Sequence, residues 1–538
     1  MKAMKISKLN TLRISCMTLL AAMIAACSSE DNVIEAGQPA PAEGIPFTAT
    51  ISTGGASTRT TLTEAKDGSN KDIFTVAWNV DDQVELIYKV GGATKNTTAT
   101  VKSVDNGVAT ISATLDANTE DGTAVTLRYP ASSLDPTTHD FDPAKLKAQT
   151  GTLAGLGAYD WREGTGTLSG TGATATLSST VKMESKVAIW KVSPKAGGSA
   201  ISTKILNIKN ATGDVLACTA VSMPASTSVY LALQPIASQK VFLEAGDGTN
   251  VYDFSKESVT LNKNTYYQSD VAMTKTFDGL TTPLTLEATA NGNIMVYPKI
   301  TMSYSVDGGA LVEISTNTTI NVTAGQKVSF YSTNSALAKV EGGISSSTSI
   351  IPKIPCYVYG NVMSLIDDSG TGFANDKTIS ADHALKNLFH ESSGTCPNLI
   401  NHPTKRILLP ATTLANNCYD QMFYDCTGLT VAPDLPATEL KSLCYYYMFH
   451  GCTSLTTAPD LPAPTLAERC YMCMFEGCTS LYYVKCLATN VSAMLCLYKW
   501  LKDVSATGTF VKASGASWSV ADSDGSSGYP SGWTVQTE

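Results

Sequence analysis

Three phrases set the chemical question: CYDQMFYDCTGL from Cys418, CYYYMFHGCTSL from Cys444 and CYMCMFEGCTSL from Cys470. Thiols in such numbers serve as disulfides, as metal ligands or as small buried side chains. Spacing separates these uses. Cys418, Cys444, Cys470 and Cys496 lie 26 residues apart, as do Cys426, Cys452 and Cys478, so they follow a structural repeat rather than a ligand set. Cys470 and Cys473 form a C-x-x-C pair, but no second pair stands at zinc-site spacing. No metal and no cofactor is expected. A disulfide inside one unit, such as Cys444 to Cys452, stays open for a chain in an oxidising compartment.

The other reactive residue types form no pattern. His139, His383, His390, His402 and His450 fall in no HExxH arrangement. The sequence has neither GxSxG nor a phosphate-binding P-loop. DSDG from Asp522 lacks the remaining ligands of a calcium loop and reads as a turn. Two carboxylates from distant positions would make a glycosidase pair that spacing cannot reveal. The expectation is a binding or assembly protein, not an enzyme.

The elements that position the thiols follow from the repeat. Leu414, Cys418 and Met422 are spaced four and four, and the same holds at Leu440, Cys444 and Met448. This spacing predicts one face of a short helix. The segment after the second cysteine, such as LTTAPD, reads as a short strand. Each unit is then a strand, a bend and a helix that buries its apolar face only against its neighbour. Helices in adjacent units would sit about 8–10 Å apart, too far for a disulfide between equivalent cysteines. With Leu429, Leu455 and Leu481 pointing inward, Thr430, Thr456 and Tyr482, with Tyr483 beside them, are the candidate ligand surface. The plainer reading of these positions is solvated strand.

The chain of 538 residues has room for several domains. Charged residues make up 16% and apolar residues 43%, with a net charge of −9. That balance argues against nucleic acid as a partner and against charge-driven binding to anionic lipid. The segment from Ile14 to Cys27 is apolar, preceded by basic residues, and too short to span a bilayer. Residues 28–44 read as a tether. PFTATIS, QVELIYKV, KVAIWKV and VYLALQP then alternate as half-buried strands do, separated by Gly, Asn, Asp and Ser. The pattern predicts sandwiches or barrels.

Several stretches resemble known families. Ile24-Ala25-Ala26-Cys27 resembles the lipobox of bacterial lipoproteins, and the following SSEDN resembles a Bacteroidota surface-export signal. This implies an acylated Cys27 held in outer-membrane lipid at the cell surface; a plain cleaved signal is the alternative. PFTATIS, TRTTL, VAWNVDDQVELI and LNKNTYYQSDVAM are similar, in that order, to fimbrillins, the lipoprotein subunits of type V pili. The resemblance implies two β-sandwiches, assembly by β-strand addition, and protease processing after Arg59; a surface arginine in a hairpin is the other reading. The chain continues about 260 residues past the fimbrillin-like part, which would block donation of a terminal strand and favour a tip or accessory place.

The CYxxMFxxCTxL units, with INHPTKRILLPATTL before them and GTFVKASGASWSVADSDGSSGYPSGWTV after them, resemble BspA-type leucine-rich repeats. The fold expected is therefore multidomain and mainly β. It comprises a signal peptide (1–27), a tether (28–44), tandem fimbrillin-like β-sandwiches (45–180 and 181–278), a small β module (279–355), a leucine-rich-repeat α/β solenoid (356–507) and a C-terminal cap (508–538). The function implied is a surface adhesin that binds host or bacterial macromolecules through the repeats. The alternative is a glycan-capturing lipoprotein of a nutrient-uptake system.

Overall fold

The computed structural model describes residues 44–53, 63–66, 72–75, 78–219, 223–341, 344–367, 372–390, 394–521 and 526–538. Among them there is no α-helix, only 3-10 segments of three to five residues. No helix among the described residues is long and apolar enough to cross a membrane.

Alternation in the sequence becomes strand where expected. Ile45–Ser52 buries Ile45, Phe47, Ala49 and Ile51 on one face. It is the second strand of a nine-stranded sheet that ends at Val181–Lys182 on one side and Glu184–Ser185 on the other. Only Met183 separates these two ends, so the sheet comes close to closing on itself. Closure removes exposed strand edges, and two glycines permit it. A side chain at Gly164 would meet Val181 and the Lys182 carbonyl within 2.8 Å, and Gly166 faces Val181 at 2.8 Å. The first expected sandwich is therefore a near-closed barrel-like sheet rather than two facing sheets.

The following part has two facing sheets. Ala188–Ala196, Ser199–Ala200, Val229–Leu233 and Thr265–Ala272 form one; Val215–Cys218, Ile205–Asn210, Ile236–Gly246, Asn250–Leu261 and Thr274–Asp278 form the other, in that order. Trp190, Val192, Leu206, Ile208, Leu231, Leu243 and Val271 fill the space between them. Thr265–Ala272 pairs in parallel with Ala188–Ala196 over eight residues. Beyond Pro283 a further mixed sheet leads through Cys356–Asn361 into the repeats, and one continuous core runs from Leu284 to Trp533.

The leucine-rich-repeat α/β solenoid expected at 356–507 does not form. The 26-residue units do stack, with Val431, Thr457 and Tyr483 bridged in parallel, but each contains consecutive tight turns where a helix was predicted. From Asn417 onward the backbone N–H groups alternate in destination. Those of Asn417, Tyr419, Gln421, Phe423 and Asp425 donate to carbonyls of the next coil, at Ser442, Cys444, Tyr446, Met448 and His450. Those of Asp420, Met422, Tyr424 and Cys426 donate three residues back. An α-helix needs every N–H directed four residues back. Every fourth residue takes a left-handed conformation, as at Asn417, Gln421 and Asp425, then Leu443 and Tyr447 with Gly451, and Arg469 and Cys473 with Gly477. The resemblance to BspA-type leucine-rich repeats thus does not extend to an α/β solenoid, and leucine-rich repeat is the wrong description of this stack.

Candidate functional site

Each coil sends alternate pairs of side chains inward. Cys418 and Tyr419, then Met422 and Phe423, then Cys426 are all buried. Equivalent rings pile up along the stack: Phe389, Phe423, Phe449 and Phe475 have successive centroid distances of 5.4, 5.4 and 5.6 Å. A second column stacks Tyr419, Tyr445 and Tyr471 at 5.8 and 6.0 Å, and the thiols are buried in the same core. Burial pushes the Cys418 thiol up to about 12 and raises Cys444 and Cys452 well above the usual thiol range, so they are neutral and unreactive. Cys452 Sγ–H donates to the Phe423 carbonyl at 3.1 Å, and Cys478 Sγ–H to that of Phe449 at 3.0 Å. The helix spacing invoked above to keep equivalent cysteines apart is absent. Coils joined by backbone hydrogen bonds sit about 5 Å apart, within disulfide reach, and the thiols are nonetheless free.

The outward side chains form two surfaces. On the strand side Thr430 is exposed, and its N–H and hydroxyl both donate to Asn401 Oδ1, at 2.8 and 3.1 Å. Thr456 is half-buried and accepts the Tyr482 N–H at its carbonyl, 3.0 Å away. Tyr482 is 48% exposed, and Tyr483 is half-buried in the parallel strand Tyr483–Cys486.

On the turn side lies a group that spacing arguments missed. Tyr424 stacks on His450 at 4.5 Å and lies 4.7 Å from His390. Tyr447 contacts His450 at 5.2 Å, and Tyr446 meets Tyr447 edge-on at 4.5 Å. All five rings are half-buried. Burial holds the His390 and His450 imidazoles below their ordinary pKa, hence neutral. Asp425 and Glu476 lie 3.8 and 3.9 Å from His450, and Glu476 is paired with Lys502 at 3.2 Å. The patch is an apolar, ring-lined surface with an acidic rim, drawn from successive coils. The signal in the sequence was available: aromatic residues occupy repeat positions that the core does not use.

Cys27, Arg59 and Asp522 lie outside the described residues. Apart from His390 and His450 in the turn-side patch, the histidines lie at scattered places. His139 stands 3.3 Å from Glu85 in the first sheet. His402 accepts the N–H groups of Thr404 and Lys405 at Nδ1 and is held neutral by burial, its pKa brought down to about 3. Among the described residues no group of three or more His, Cys, Asp or Glu is placed to hold a metal ion.

No family model matches the chain. No curated protein does either. Similar solved structures include a fimbrial protein from Bacteroides ovatus ATCC 8483, at 12% identity and TM-score 0.24, covering 43% of this chain and 48% of that one. A candidate cell adhesion protein from Bacteroides uniformis ATCC 8492 matches at 12% identity and TM-score 0.25, covering 44% and 94%. Another from Bacteroides ovatus ATCC 8483 matches at 17% identity and TM-score 0.25, covering 44% and 95%. The chain spans about half the length of the first of these. Likeness at this level carries no inference about this chain's fold or function.

Proposed function

We propose that the chain is a lipid-anchored cell-surface adhesin of the outer membrane, a binding protein rather than an enzyme. The observation that carries this reading is the turn-side patch of Tyr424, Tyr446, Tyr447, His390 and His450. Aromatic side chains that the core does not need, grouped across coils and rimmed by charge, are the composition of a macromolecular contact surface. The lipobox-like end at Cys27 supplies the anchor, and the alternating strands supply a stalk. The organisation proposed keeps the expected bounds, a tether at 28–44, β units from 45 to 355 and a cap at 508–538, with a turn-built stack at 356–507 in place of the leucine-rich-repeat solenoid.

The test uses the chain from residue 28 onward, immobilised and exposed to host matrix and bacterial surface extracts. Retention of a partner that Tyr424→Ala with Tyr447→Ala abolishes supports the reading, and retention indifferent to both removes the patch from it. Pilus membership, as a tip or accessory subunit receiving a strand from a neighbour, is a separate part of the proposal. It is dropped if the protein never co-purifies with fimbriae and arginine-specific protease leaves the bond after Arg59 intact. The exposure of Tyr482 favours a second reading, glycan capture for nutrient uptake. Loss of glycan-array binding in Tyr482→Ala would support that one.

A further inference from the structure

The five-stranded sheet of the second β unit has an outer face that its core does not use. Residues directly opposite one another in paired strands share a face. Lys209 lies opposite Phe242, and Phe242 opposite Ser255. Asn207 lies opposite Glu244, Glu244 opposite Asp253, and Asp253 opposite Thr274. These two rows therefore stand side by side, turned away from Leu206, Ile208 and Leu243 in the core.

The next row on the same face is Ile205, Gly246 and Val251. It is covered: a side chain at Gly246 would come within 3.2 Å of the Thr404 carbonyl. The segment around Thr404 thus walls one end of the face, and the Asn210–Gly213 turn and Thr274 bound its sides. The resulting open cleft is about 710 Å3, within the range of small-ligand sites.

The chemistry of the lining is mixed in a particular way. Glu244 is held by Lys209 at 3.3 Å and by Asn207 at 3.5 Å. Asp253 is open to solvent, yet enough protein surrounds it that burial, with the Glu244 charge beside it, lifts its carboxyl pKa. Phe242 presents a ring that is 37% accessible, with Lys240 Nζ 5.1 Å from its centroid. Carboxylate acceptors, amine and amide donors and a partly exposed aromatic ring in one cleft match a pyranose, whose hydroxyls both donate and accept and whose C–H face lies on a ring. An apolar ligand would strand the carboxylates, and an anion would meet Glu244 and Asp253.

We propose that this cleft binds a short neutral oligosaccharide, with Glu244 and Asp253 as hydroxyl acceptors and Phe242 as the stacking platform. The site is separate from the repeat surface and stands or falls apart from it. The experiment is saturation-transfer NMR of the chain from residue 28 onward with gluco-, manno-, xylo- and galacto-configured neutral oligosaccharides, with a sialylated one for comparison. The expected result is binding of at least one neutral sugar, weakened at least tenfold by Asp253→Asn with Glu244→Gln and by Phe242→Ala, and unchanged in Tyr482→Ala and Tyr447→Ala. Ser255→Trp fills the cleft from an exposed position and should abolish binding while the melting temperature holds. Absence of binding to all neutral sugars overturns the proposal, as does binding that survives Ser255→Trp or that prefers the sialylated ligand.

Discussion

Tyr419 is buried to 1% exposure, and its hydroxyl has no hydrogen-bond partner. A polar group desolvated without compensation costs about 1–3 kcal/mol. Tyr419→Phe is therefore expected to raise stability by about 1 kcal/mol, read as a higher urea midpoint at unchanged slope. His402 makes the opposite kind of case, because its environment matters only when pH changes. Its folded pKa of about 3 lies below the ordinary histidine value. The unfolded chain takes up a proton below about pH 6.5 while the folded chain does not. This residue's contribution is thus intact above about pH 6.5 and falls as pH drops towards 3, by on the order of 1 kcal/mol per pH unit. His402→Gln keeps an acceptor for Thr404 and Lys405 and should flatten the acid limb of stability measured between pH 7 and 4; an unchanged limb would refute the assignment. At this scale the periodic thiols were legible in sequence as core residues, because their step matched no ligand set. The orphaned hydroxyl and the neutral imidazole were not, since both depend on what surrounds the side chain.

Within one repeat, a spacing of four suggests a helix face, and the structure makes it a chain of turns. The distinction was present in the numbers. Residues four apart on an α-helix drift by about 40° at each step, so Leu414, Cys418, Met422 and Cys426 could not all keep to one narrow face. In the observed coil a four-residue unit returns to the same side each time, and these four side chains are all buried. The conformation requires left-handed residues at Leu443 and Arg469, which costs roughly 1–2 kcal/mol each for side chains with a Cβ. Hydrogen bonds from every second N–H to the next coil, together with the stacked rings, offset that cost. Leu443→Gly should accordingly stabilise the fold by about 0.5–1 kcal/mol, with circular dichroism of the parent chain showing no α-helical double minimum. A destabilised Leu443→Gly variant would contradict the left-handed assignment.

Across the molecule, the buried side chains fall into separate groups. One lies within residues 45–183, a second within 188–273, a small third joins Leu146, Leu156 and Trp161 to Val187, Ile189 and Ala232, and the largest runs from Leu284 to Trp533. Elements that share a core unfold together. Phe449→Ala, which removes a ring from the middle of the phenylalanine column, should cost about 3–5 kcal/mol. Hydrogen exchange should then quicken in the strands of 284–366 as well as in the repeats, and stay unchanged in 45–183; faster exchange confined to the repeats would show that the core is not one unit. Local order in the chain determined the 26-residue period, the alternation of PFTATIS and QVELIYKV, and the inward set of cysteines and leucines, because each follows from which neighbours along the chain are apolar. Tertiary structure alone decided whether a backbone donor turns back along its own segment or across to the next coil. It also decided that nine strands bend round until Val181 meets glycines of Arg162–Ser169, and which outward faces become clefts. Those outcomes rest on partners dozens of residues away, to which local pattern is blind.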